Sequence, residues 1–243
     1  LLALSPFHLR YSQEARHYTW LMLFSLISYI FLYQAIVQQR WRWWLLFIAV
    51  TVINLYTHYA ALVVLASQTV IIGIWILSLW PRLGFRTLVQ PVVSALTIVG
   101  FYLAQLPDLL FALNWNLGPD AARGGGSVPL SFWLYEMFNT FVPSVGAWPY
   151  LLAILALFGL WQLRRKPHRY LLLLLGFGLI MPVVLIATFQ VARWALVKYV
   201  IYLLPFYLLS VGIGMDAALR PGVRLFGKHG RYLIIFFVFL ITV

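Results

Sequence analysis

The chain alternates long apolar runs with short polar ones, and most of the apolar runs have the length of a membrane crossing. Residues 19–38, 60–80, 88–105, 148–163, 170–189 and 199–219 are almost free of charged side chains. About 20 apolar residues rising 1.5 Å each cover the roughly 30 Å hydrocarbon core of a bilayer. A shorter apolar run occupies 44–56, and another begins near Tyr232 and continues to Val243. The pattern predicts an all-α membrane protein, a polytopic transmembrane helix bundle of about seven to eight spans. The apolar character of both ends suggests an internal fragment that cuts through two helices, with 1–243 forming part of a single transmembrane domain.

One region departs from this pattern. From 106 to 147 the chain carries Pro107, Asp108, Asp120, Arg123, three consecutive glycines at 124–126 and Glu136. A connection of that length is uncommon unless it has a function, and it is expected as an extracytoplasmic loop. Within it, the sequence FWLYEMF at 132–138 predicts a short amphipathic helix lying in the interface.

Composition agrees with the span pattern. Apolar residues make up 64% of the chain and charged residues only 9%, too few to cover the surface of a soluble domain of this size. The formal net charge is +12, yet no basic run accompanies a soluble fold, so nucleic acid is not an expected partner. The cations sort instead by side. Arg40, Arg42, Arg82, Arg86, Arg164, Arg165, Lys166, Arg169, Arg220, Arg224, Lys228 and Arg231 fall in alternate connections, which the positive-inside rule assigns to the cytoplasm. The other side holds Arg10, Arg16, Arg123, Arg193 and Lys198 together with Glu14, Asp108, Asp120 and Glu136. Asp216 stands four residues before Arg220, the spacing of a helical ion pair. Cysteine is absent, which excludes disulfides, thiolate metal sites and a cysteine nucleophile.

The chemistry-bearing stretch is SPFHLRYSQEARHY at 5–18. Ser5 followed by Pro6 suits a helix start, and helical spacing gathers Tyr11, His17 and Tyr18 around Glu14, with Arg10 one turn away. One reading is an interfacial belt with a local Arg10–Glu14 pair. The other is a carboxylate held among donors at the mouth of a membrane cavity, joined there by Arg16, His58, Arg193 and Lys198. A carboxylate can deprotonate a hydroxyl or hold a divalent metal, while Arg and Lys can neutralise a phosphate. Those groups suit transfer from a lipid-linked phosphosugar. For His58, flanked by Tyr56 and Tyr59, a belt role weighs more than ligation; for Lys198 the competing role is snorkelling at a helix end. Gly212 and Gly214 inside one span suggest close helix packing. No phosphate-binding glycine loop, G-x-S-x-G or H-E-x-x-H is present.

The stretch at 5–18 resembles the SPF-x-x-x-YSQEAR-x-Y segment of bacterial GT-C glycosyltransferases related to the protein O-mannosyltransferases and the lipid A aminoarabinose transferase. NLYTHYAALVVLASQ at 54–68 and KYVIYLLPFYLLSVGIG at 198–214 are similar to two further segments of that family. The resemblance implies an inverting, integral-membrane glycosyltransferase that moves a sugar from a polyprenyl-phosphate donor to a lipid, glycan or protein acceptor. Its active site would face the periplasm or cell exterior of a bacterial inner membrane. Glu14, the candidate catalytic residue, matches the second acidic position of the family; the acid of the first extracytoplasmic loop, which usually serves as base, would lie upstream of Leu1. Substrate contacts fall to Tyr11, Gln13, Arg16, Tyr18, His58, Arg193 and Lys198, the last standing where the family more often has Arg. The one cofactor the resemblance leaves open is a divalent metal ion, with Glu14 and His58 as its candidate ligands. A transporter or flippase of lipid-linked sugars and an O-antigen ligase or polymerase are the competing classes; a flippase would use helices broken near mid-membrane, for which Pro182 and Pro205 are the candidate breaks.

Overall fold

A computed structural model describes residues 17–79, 84–117, 129–141, 148–164, 169–189 and 201–226. Every regular element among them is helical: α1 (Tyr18–Gln38), α2 (Trp41–Thr57), α3 (Ala61–Ser78), α4 (Phe85–Leu103), α5 (Leu106–Leu117), α6 (Leu130–Phe141), α7 (Trp148–Gln162), α8 (Arg169–Phe189) and α9 (Leu203–Phe226). Among the described residues three helices are long and apolar enough to cross a membrane: α1, α3 and the Leu203–Arg220 part of α9. Thr87–Leu103, Pro149–Gln162 and Tyr170–Met181 are shorter apolar helices. The apolar run that begins near Tyr232 lies outside the described residues.

In α1 one helical stripe is buried: Tyr18, Leu21, Met22, Ser25, Ser28, Tyr29, Leu32, Ala35 and Ile36, spaced three and four apart. The remaining faces are also apolar, with Trp20, Leu23, Ile30 and Val37 exposed. A helix that is hydrophobic on every side does not belong against water. Leu45, Leu77, Leu96, Phe101 and Ile154 repeat this on other helices, each more than half exposed, an outward surface compatible with a membrane protein.

α1 and α2 form an antiparallel hairpin. Gln39 closes α1 in the left-handed region at φ 49°, and its N–H reaches the Ala35 carbonyl at 2.9 Å. Arg40 then turns extended and α2 begins at Trp41, earlier than the span expected from 44. Around this end lie aromatic rings and cations. Trp44 packs on Trp75 at 6.2 Å and edge-on to Phe47 at 6.1 Å, Arg42 lies over the Trp43 ring at 4.9 Å, and Gln90 Nε2 of α4 donates to the Gln39 carbonyl at 3.3 Å. The ends of α1, α2, α3 and α4 that adjoin Arg40 and Arg42 therefore meet.

Two further arrangements tie the helices together. A seam of neutral polar side chains runs between α1, α2, α3 and α8. Asn54 Nδ2 donates to Ser25 Oγ (3.1 Å), Ser28 Oγ to the Ser25 carbonyl (2.7 Å), and Gln68 Nε2 to Ser28 Oγ (2.7 Å). One turn along α1, the Tyr29 hydroxyl donates to Ser67 Oγ (2.6 Å), which donates to the Phe177 carbonyl (3.1 Å). Elsewhere α7 and α9 meet backbone to backbone. A Cβ added at Gly159 would strike the Ser210 carbonyl oxygen and come within 2.8 Å of Gly214 N; one at Gly214 would strike the Leu155 carbonyl. Gly212, by contrast, has open space where its Cβ would be, so of the two glycines only Gly214 makes the close approach.

The region expected as a loop is more regular than its composition suggests. It is helical over Leu106–Leu117 and Leu130–Phe141, the second enclosing the predicted 132–138 helix. Pro107 and Asp108 in the first turn of α5 account for the first of these: proline there removes an N–H that no carbonyl would accept, and a carboxylate favours the positive helix end. Pro205 likewise falls in the first turn of α9, and α8 continues past Pro182. Asp216 and Arg220 pair as expected, Arg220 donating to Oδ2 at 2.6 Å with both side chains exposed.

Candidate functional site

The end of the bundle opposite Arg40 and Arg42 gathers histidine and tyrosine. α1 begins at Tyr18, and α2 stops at Thr57 where His58 turns extended (φ −164°, ψ 141°). The hairpin brings these termini together. His17 and His58 stack with ring centroids 4.7 Å apart and 26° between planes. Tyr18 lies 5.6 Å from His58 and 4.6 Å from His17. His17 is exposed, His58 half-buried and Tyr18 buried. The cluster therefore grades from solvent into the core.

His58 has a defined tautomer. Its Nδ1 accepts the Ala60 N–H at 3.0 Å, so Nδ1 carries no proton and the neutral ring holds its hydrogen on Nε2. Burial, and secondarily the neighbouring His17, lower its pKa from 6.5 to about 4. At neutral pH the group is thus an uncharged N–H donor. With Nδ1 engaged as an acceptor, Nε2 is the ring nitrogen left to face a ligand, and there it carries the proton. No group of three or more His, Asp or Glu suited to a metal occurs among the described residues.

Tyrosines flank the cluster. The Tyr56 hydroxyl donates to the Phe101 carbonyl at 2.8 Å, joining the ends of α2 and α4. Tyr59 is exposed beside it, and the hydroxyl of Tyr102, next to Phe101, is buried with no hydrogen-bond partner among the described residues. Half-exposed aromatic rings and neutral N–H or O–H donors can stack on and hydrogen-bond a polyol or a phosphate ester.

Of the residues singled out from the sequence, Tyr18 and His58 are brought together here. Tyr11, Gln13, Glu14, Arg16, Arg193 and Lys198 lie outside the described residues. His17 was not singled out as a site residue, although the sequence held a signal for it. The dipeptide His-Tyr occurs at 17–18 and again at 58–59, each time at a helix boundary, and the two histidines are the ones that stack. The chain matches no protein-family model, no curated protein and no solved structure.

Proposed function

We propose that this chain belongs to a multi-pass membrane glycosyltransferase that moves a sugar from a polyprenyl-phosphate donor to a lipid, glycan or protein acceptor at the outer face of a bacterial inner membrane. One observation carries the reading. The ends of two segments that resemble the same enzyme family in sequence, 5–18 and 54–68, adjoin in space through the stack of His17, Tyr18 and His58. On this reading the three shorter apolar helices, α2 and the apolar run that begins near Tyr232 join the three long helices to give about seven to eight spans, and the cations around Arg40 and Arg42 mark the cytoplasmic side.

The chemistry is a displacement at the anomeric carbon. The acceptor oxygen forms a bond to that carbon as the bond to the phosphate oxygen breaks, with inversion, and the phosphate leaves with the electron pair. Glu14 is the candidate carboxylate to orient the acceptor hydroxyl, whose proton passes to a carboxylate base as the new bond forms. Arg16, Arg193 and Lys198 are the candidate cations for the charge that develops on the departing phosphate. His58, neutral and holding its proton on Nε2, adds a donor with no charge of its own.

The test uses the complete protein with radiolabelled polyprenyl-phosphate hexose and follows release of free polyprenyl phosphate. Glu14→Gln is expected to lower turnover by at least about 100-fold, at the low end of general acid–base contributions, with expression unchanged. Absence of release from any donor, accompanied by movement of the lipid across liposomes, would replace the enzyme with a flippase.

A further inference from the structure

The polar seam contains atoms that no group among the described residues satisfies. Asn54 Oδ1, Gln68 Oε1 and Thr51 Oγ1 are buried and unpartnered, on residues 2%, 0% and 3% exposed. They are not scattered. Thr51 and Asn54 are three apart on the buried face of α2, and Asn54 and Gln68 are anchored through their amide nitrogens to the same Ser25–Ser28 turn of α1. The amide orientation of Gln68 is fixed: Ser28 spends its hydrogen on the Ser25 carbonyl, so its Oγ can only accept, and the side facing it must be Nε2. The Gln68 carbonyl oxygen therefore points away from the serine with nothing to accept from.

We propose that the junction of α1, α2 and α3 is a binding site for internal water, held between Asn54, Gln68 and Thr51. The chemistry of the three atoms selects the occupant. Two amide oxygens only accept and one hydroxyl can donate, whereas water supplies two donors and two acceptor lone pairs. Buried waters characteristically make about three hydrogen bonds to groups that would otherwise go unsatisfied. An alkali cation would also suit carbonyl oxygens, but the buried polar side chains here are Ser, Thr, Asn and Gln, none charged. An ion buried with no counter-charge is far costlier than a neutral molecule. Asn54 lies one helical turn before His58 along the chain, which places one edge of the site near that end of α2. This inference does not depend on the proposed enzyme activity.

A density map of the complete protein in lipid nanodiscs tests it, at a resolution that shows ordered water and in Na⁺ and Tl⁺ buffers separately. The expected result is a peak about 2.5–3.0 Å from Asn54 Oδ1 or Gln68 Oε1, equal in the two salts and absent from the double variant Asn54→Leu/Gln68→Met. A peak that grows in Tl⁺ identifies a cation and overturns the proposal, as does a wild-type map with no peak. Because the wild-type map decides on its own, failure of the double variant to fold leaves the test intact. Thr51→Val, which removes the hydroxyl and keeps the shape, is expected to weaken the same peak.

Discussion

Where α1, α2 and α3 meet, the helices are joined by side chains that exchange hydrogen bonds across buried space; where α7 meets α9, the side chains are missing and the backbones touch. The first contact is built from Ser25, Ser28, Asn54, Ser67 and Gln68, the second from Gly159 and Gly214. Both answer the same difficulty. Between apolar helices in lipid there is no hydrophobic gain to drive pairing, so association rests on van der Waals fit and interhelical hydrogen bonds. The two respond differently to change, because a hydrogen bond can be deleted with little displacement whereas a backbone contact has no flexible atom to move aside.

The largest effect should come from filling the backbone contact. Gly214→Val places a side chain against the Leu155 carbonyl, and overpacking of this kind costs about 1–3 kcal/mol or more. The expected result is a steep loss of folded, monodisperse protein in detergent; a thermal midpoint within a degree of wild type would show that α7 and α9 do not approach as described.

Deleting a bond from the seam should be milder. Tyr29→Phe removes the hydroxyl that donates to Ser67 but keeps the edge contact of the ring with Phe206 at 4.7 Å. Ser67 still donates to the Phe177 carbonyl, so no donor is stranded. The expected cost is about 0.5–1 kcal/mol, the usual worth of an interhelical hydrogen bond in membrane proteins. A loss as large as that of Gly214→Val would erase the distinction between the two contacts.

The hydrogen-bonded region also carries the titratable end of the comparison. His58 has its pKa lowered from 6.5 to about 4 by burial and by His17. The unfolded chain takes up the proton first, so the stability that goes with neutral His58 is present above about pH 6.5 and is lost as the pH falls toward 4. Thermal midpoints of wild type and His58→Gln across that window should diverge, the variant showing the flatter profile. Parallel profiles would place the titration elsewhere.

The smallest effect is expected at Gly212. Its Cβ would meet nothing within 4 Å, and alanine is the better helix former by about 0.8–1.0 kcal/mol. Gly212→Ala should leave the thermal midpoint unchanged or slightly raised. A marked loss would extend the α7–α9 contact to this face of α9.

The two glycines show where sequence reading reaches and where it stops. Small residues within an apolar span identify a helix that can approach a neighbour closely, but not which of them does so. Positions two apart on a helix point in nearly opposite directions, so only one can face α7. The region 106–147 is a second case. Its Gly and Asp content suggested a loop, yet Pro107 and Asp108 were in the sequence as a helix-start signal for α5, outweighed there by the glycines at 124–126.

What the chain alone determined is the helical class, the positions of most apolar helices and the pairing of Asp216 with Arg220. These follow from runs of transfer free energy and from spacing within one helix, both of which are local. What the tertiary structure decided is which neutral polar residues become a seam, which glycine is a contact and which two histidines stack. Ser25, Asn54 and Gln68 hardly disturb the hydropathy of their helices, and each belongs to a different one. Their partners are fixed by how α1, α2 and α3 cross, an arrangement that no single stretch of sequence encodes.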